Sequence, residues 1–119
     1  MSGEPTLDPA AFERLLEITG GDVAFVDELI DTYLEDAVVQ LGTMAEAAAT
    51  GDADALVRPA HSLKSNSDNV GAVALTVLCR AVETDARAGA VADPTERVAA
   101  IQREFEAVRA GLLGARAAR

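Results

Sequence analysis

Apolar residues recur along the chain at three- and four-residue spacing, and no segment shows the apolar–polar alternation of a half-buried strand. This pattern predicts helices over residues 9–19, 22–50, 53–69, 71–88 and 94–115. The first opens at "LDPAAF", with Asp8 as N-cap and Pro9 in the first helical position, and runs out at Gly20 and Gly21. The second carries Val26, Leu29, Ile30, Tyr33, Leu34, Ala37, Val38, Leu41, Met44, Ala45 and Ala48 in a stripe wide enough to need neighbours on two sides. Leu56, Ala60, Leu63, Ser67 and Val70 form the core seam of the third, which Gly71 terminates. The fourth turns Leu75, Leu78, Cys79, Val82 and Ala86 inward and stops at "RAGAVAD". The fifth begins at "DPTE", where Asp93 is placed to cap, Pro94 fills the first turn and Glu96 stands at capping-box spacing. Its seam is Val98, Ile101, Phe105, Val108 and Leu112, and the "GARAAR" tail is expected to fray.

Four long helices joined by short Gly- and Asp-containing turns pack most simply as an antiparallel up-down-up-down bundle, with the short first helix over one end. The expected fold is all-α, a single domain over residues 1–119. Composition agrees: half the positions are apolar and aromatics are 3%, which suits helices packed through small and aliphatic side chains.

Charge narrows the function. A net charge of −10 and the absence of a basic stripe argue against nucleic acid. Through Asp54 there are thirteen acids against one base, Arg14, and from Ala55 onward seven against nine, so the second half is nearly neutral inside an acidic molecule. The one cysteine, Cys79, excludes an internal disulfide framework and fits a reducing compartment. With neither a signal peptide nor an apolar run of about 18 residues, a cytoplasmic protein without membrane association is expected.

The chain's one histidine, His61, lies three residues before its one lysine, Lys64, in "AHSLKSNSDNVGA". His61 follows the seam residue Ala60, which rotates it about 100° from the core direction onto a flank shared by Lys64 and Ser65. Metal binding is not expected, because one histidine and one core cysteine are too few ligands for zinc. Hydrolase chemistry lacks an oxyanion hole, and no Gly-rich loop offers a means of binding ATP. An exposed neutral imidazole can, however, attack phosphorus with a ring lone pair. Lys64 at i+3 can meet the phosphoryl oxygens, and Arg58 at i−3 can do so from the other side. Arg87, by its helix position, is expected to lie away from this chemistry.

Ala60, His61, Leu63, Lys64, Gly71 and Ala72, followed by Leu75, Cys79, Val82 and Glu83, resemble the histidine phosphotransfer (HPt) domains of multi-step two-component signalling, and the likeness extends upstream through "FVDELIDTYLED". The resemblance implies that His61 accepts a phosphoryl group from a receiver-domain phospho-aspartate and relays it to another receiver. It also implies that the Mg²⁺ driving transfer sits in the receiver, so that the chain itself needs no cofactor and is a relay without kinase activity of its own. The implied partners are receiver domains of response regulators or hybrid histidine kinases, met by a monomer. Ser65 departs from the family's usual glycine. Its hydroxyl either narrows the approach to the imidazole, bonds back to the His61 carbonyl, or donates to the phosphoryl group. Val57, one turn before His61, and Val39, off the second helix's stripe at similar height, are candidate exposed contacts for the receiver. Two other classes share these features: a bundle that binds a kinase or receiver without carrying phosphate, and the phosphorylated domain of a chemotaxis-type kinase, of which this chain would be an excised fragment.

Overall fold

Two helix starts in this chain are set by aspartate side chains. In the computed structural model, which describes residues 4–118, Asp22 accepts a hydrogen bond from the Phe25 amide at 3.0 Å and opens α2 (Val23–Thr50). Asp52 accepts from the Ala55 amide at 3.1 Å and opens α3 (Ala53–Asn69). Each satisfies one of the amides a helix leaves unpaired in its first turn. Between them Gly51, at φ 68°, turns the chain in the left-handed region, so α2 and α3 are joined by two residues. A second junction uses the same device: Gly71 at φ 76° lies between α3 and α4 (Val73–Arg87). The last helix, α5 (Pro94–Ala117), starts with Pro94 in its first turn.

Two expected caps take another form. Asp8 accepts from the Ala10 amide at 3.0 Å within a turn, and α1 (Ala11–Ile18) begins two residues later than predicted. Asp93 adopts φ 48° and makes no side-chain cap, and Glu96 pairs with Arg103 instead of closing a capping box. The predicted fraying of the tail is also overturned. Helix α5 continues to Ala117, because Arg116 bonds Asp31 of α2 at 2.7 Å and the Asp27 carbonyl at 3.4 Å.

The four long helices form a ring in which α2 and α4 each lie between α3 and α5. Their antiparallel sense is visible in cross-helix bonds. Tyr33 meets Ser67 at 2.8 Å and Asn66 donates to Asp36 at 3.1 Å between α2 and α3, while Arg97 bonds Asp85 at 2.7 Å between α4 and α5. The interior is aliphatic, with Phe105 packed against Tyr33 at a centroid distance of 6.3 Å. The α3 and α5 seams are buried throughout as predicted. On α2 the stripe is narrower: Val38 is 62% exposed and Leu29 lies at the surface, while Ala47 takes a core place that spacing assigned to Ala45. On α4, Thr76 and Glu83 are buried as well.

Helix α1 and the segment before it close the end where α3 meets α4. The Asp8 amide donates to the Gly71 carbonyl at 2.8 Å, and the Ala74 amide to the Pro5 carbonyl at 3.0 Å. Among the described residues no helix is long and apolar enough to cross a membrane.

Candidate functional site

Ala60 and Leu63 of α3 are fully buried, and so is Cys79 of α4, with Val82 at 2% exposure. His61 follows Ala60 by one position, and Glu83 follows Val82 by one. Each is therefore rotated off its seam, and the antiparallel packing of α3 against α4 brings the two flanks face to face. His61 Nδ1 lies 3.0 Å from Glu83 Oε2. The Lys64 ammonium, one turn along α3, lies 2.7 Å from Glu83 Oε1. From below, one turn along α4, Arg87 donates Nε at 2.9 Å and Nη2 at 2.8 Å to Oε2.

Glu83 is the hub of this cluster. Its side chain is 7% exposed, whereas that of His61 is 53% exposed. A carboxylate withdrawn from water in this way is tolerable only when paired. Its pKa is held down to about 2 by Lys64 foremost and by Arg87 and His61, against the upward push of burial. An ionised carboxylate only accepts, so the proton of the neutral imidazole sits on Nδ1 and the lone pair on Nε2. One carboxylate against two permanent cations, Lys64 and Arg87, leaves the cluster with an excess positive charge before the imidazole is counted. A half-exposed imidazole with an oriented proton, a free lone pair and surplus positive charge beside it is suited to take an electrophilic anion.

The depressed Glu83 pKa fixes a pH dependence. A carboxyl whose folded pKa lies below its unfolded value of 4.5 contributes its full stability above that value and loses it as pH falls toward about 2. Thermal unfolding followed between neutral pH and pH near 2 should therefore show wild type losing melting temperature more steeply below about 4.5 than Glu83→Gln, which has no charge to lose. Parallel pH profiles for the two proteins would contradict the assignment.

The other residues singled out in the sequence are placed unequally. Arg58 and Ser65 are exposed, and neither side chain forms an ion pair or hydrogen bond among the described residues, so the back-bond from Ser65 to the His61 carbonyl does not form. Val39 is 63% exposed, and the Tyr33–Ser67 and Asp36–Asn66 bonds set it near the height of His61. Val57 is partly exposed, with part of its side chain packed against the core. Arg87 is corrected, from a distant residue to a direct partner of Glu83. Glu83 stood in the quoted pattern without a role, and the i,i+4 spacing from Glu83 to Arg87 was the available signal for their pairing. Sequence reading also missed a groove of about 620 Å³ between α1, α2 and α3, lined by Leu15, Ile18, Leu29, Tyr33, Asp36 and Asn66. Cys79 is buried and its thiol is pushed up to about 12, chiefly by that burial, which keeps it protonated. No group of three or more metal-ligating side chains comes together among the described residues.

A family model described as "Hpt domain" matches residues 28–111. The crystal structure of histidine-containing phosphotransfer protein B (HptB) from Pseudomonas aeruginosa PAO1 is similar to this chain over 98% of its length and 99% of that chain, with a TM-score of 0.86 and 32% sequence identity. No curated protein sequence matches significantly.

Proposed function

The chain belongs to the Hpt domain family, and from that membership we propose that it is a histidine phosphotransfer protein whose phosphoryl carrier is His61. The observation that supports this site is the buried Glu83 carboxylate, which holds both Nδ1 of His61 and the Lys64 ammonium while the imidazole stays half exposed.

The transfer follows from this arrangement. The Nε2 lone pair attacks the phosphorus of a receiver's aspartyl phosphate, the P–O bond breaks with its electron pair returning to the aspartate carboxylate, and an N–P bond forms. The ring, still protonated on Nδ1, becomes cationic. Glu83 stabilises that charge through the hydrogen bond it already makes, which needs no reorganisation at the moment of transfer. Reversal of the same steps on a second receiver completes the relay. The divalent cation and acidic pocket belong to the receiver, so this chain supplies the nucleophile and needs no cofactor or kinase activity of its own. A cytoplasmic location follows from such partners, which include receiver domains of response regulators and of hybrid kinases.

Lys64 is the second participant. Its flexible stem lets the ammonium leave Oε1 for the phosphoryl oxygens, with exposed Arg58 contributing longer-range attraction. Ser65 stands at the rim without a bonding partner, where its Cβ and hydroxyl narrow the receiver's approach. Val39 offers apolar contact at the height of His61; Val57, partly covered, offers less.

Loss of a charge-assisted contact to phosphate is worth about 1.5–3 kcal/mol, so Lys64→Ala should slow transfer by about one to two decades. Arg103→Ala, which breaks an exposed pair with Glu96 on α5, should leave the rate unchanged. Rapid-quench measurement of phosphoryl transfer from one phosphorylated receiver compares them. Equal effects from the two substitutions would remove Lys64 from the site.

A further inference from the structure

The two oxygens of Glu83 are divided between different kinds of partner. Oε1 faces Lys64 alone, at 2.7 Å, whereas Oε2 faces His61 at 3.0 Å and two nitrogens of Arg87 at 2.9 and 2.8 Å. The Lys64 ammonium makes a single contact with Glu83 from a stem that can swing, whereas Arg87, itself 58% exposed, approaches from α4 at i+4 from Glu83 with two donors of its rigid fork on one oxygen. When a phosphoryl dianion is attached to Nε2, the nearest mobile cation has two anions to serve. Without Arg87, departure of Lys64 would leave the buried carboxylate with the His61 ring as its one partner, a poorer pairing that holds Lys64 where it is.

We propose that Arg87 is a positioning residue that keeps Glu83 paired and its Oε2 aligned on His61 Nδ1, thereby releasing Lys64 from Oε1 to the phosphoryl oxygens. The inference rests on the phosphotransfer reading of His61. Arg87 acts through Glu83 and Lys64 rather than on the phosphoryl group, and this indirectness is what a double-substitution cycle detects.

The probe is phosphoramidate, which can phosphorylate the imidazole directly: the Nε2–P bond forms as the P–N bond of the reagent breaks and ammonia leaves. The pH titration of the resulting phosphohistidine is followed by ³¹P NMR in full-length wild type, Arg87→Ala, Arg87→Lys, Lys64→Ala and the Arg87→Ala/Lys64→Ala double variant. A cation on the phosphoryl oxygens disfavours protonation of the phosphohistidine, so losing Lys64 from them raises the titration midpoint. Arg87→Ala should raise it by about half a pH unit, a threefold change in acidity, and Arg87→Lys should restore part of the difference. In the Lys64→Ala background, removing Arg87 should change the midpoint by less than about a third of that amount. The same rise in both backgrounds would mean that Arg87 acts by its own field or by general structure, and would overturn the proposal while leaving His61 as the carrier. No phosphohistidine on folded wild type would overturn the carrier assignment and this proposal together.

Discussion

Replacing His61 by glutamine is expected to abolish phosphoryl acceptance while changing the melting temperature by no more than about 3 °C, the effect of a flank substitution worth roughly 0.5 kcal/mol. The loss should be complete because the chain has no second histidine and its one thiol is buried and held protonated. The small stability change follows from exposure: the His61 side chain is 53% accessible and contributes nothing to the aliphatic interior. The glutamine amide can still donate to Glu83, so the carboxylate keeps Lys64 and Arg87 and need not rearrange. Circular dichroism melts and receiver-to-protein transfer assays on the same preparations check both halves. Residual acceptance by the variant would place the carrier elsewhere, and a large drop in melting temperature would mean that the histidine is structural.

The largest effect on stability is expected at Gly71. Its φ of 76° lies where an L side chain is strained, and a Cβ built there collides with the Ala11 Cβ and comes within 3.4 Å of the Asp8 Cβ. Helix α1 docks against the α3–α4 turn at this point, held by the Asp8 amide on the Gly71 carbonyl at 2.8 Å. Backbone strain of about 1–3 kcal/mol and overpacking of about 1–3 kcal/mol act on the same few atoms, so Gly71→Ala should cost roughly 2–4 kcal/mol and lower the melting temperature by about 10 °C. Part of the cost is relieved if α1 undocks, which amide hydrogen exchange would register as lost protection in residues 11–18. A variant as stable as wild type, with α1 protected, would mean that the turn adapts without strain.

Gly71 also illustrates which features of the fold are legible in the sequence. Its place after an apolar seam marked a helix end, and Asp22 and Asp52 marked helix starts, because capping chemistry is local and depends on neighbours a few residues away. The seams of α3 and α5 were legible for the same reason. Where the reading failed, the deciding contact came from far along the chain. Val38 continues the spacing of α2, yet it lies outside the arcs that α3 and α5 cover. Arg116 looked like part of a frayed tail until α2 supplied Asp31 and the Asp27 carbonyl. Asp93 occupies a left-handed conformation and its side chain makes no cap.

The candidate site divides in the same way. His61 and Lys64 share a face of one helix, so their proximity followed from 3.6-residue periodicity. Glu83 and Arg87 meet them only through the rotation of α4 relative to α3, which no single-helix pattern contains. That rotation is set by packing at Ala60, Leu63, Cys79 and Val82, residues of ordinary size and no distinctive chemistry. Nine of the ten basic residues lie in the nearly neutral second half of the sequence, and two of them, Lys64 and Arg87, meet at Glu83.

The most direct test is to locate the phosphoryl group. The full chain is incubated with a purified receiver domain carrying a radiolabelled aspartyl phosphate in the presence of Mg²⁺, and the labelled protein is then digested under alkaline conditions and mapped by mass spectrometry. The predicted result is an acid-labile, alkali-stable label on the peptide containing His61, with ring substitution at Nε2 by heteronuclear NMR. A label on any other residue, an acid-stable label, or no label from any receiver of the same organism would contradict the assignment of His61 as the carrier.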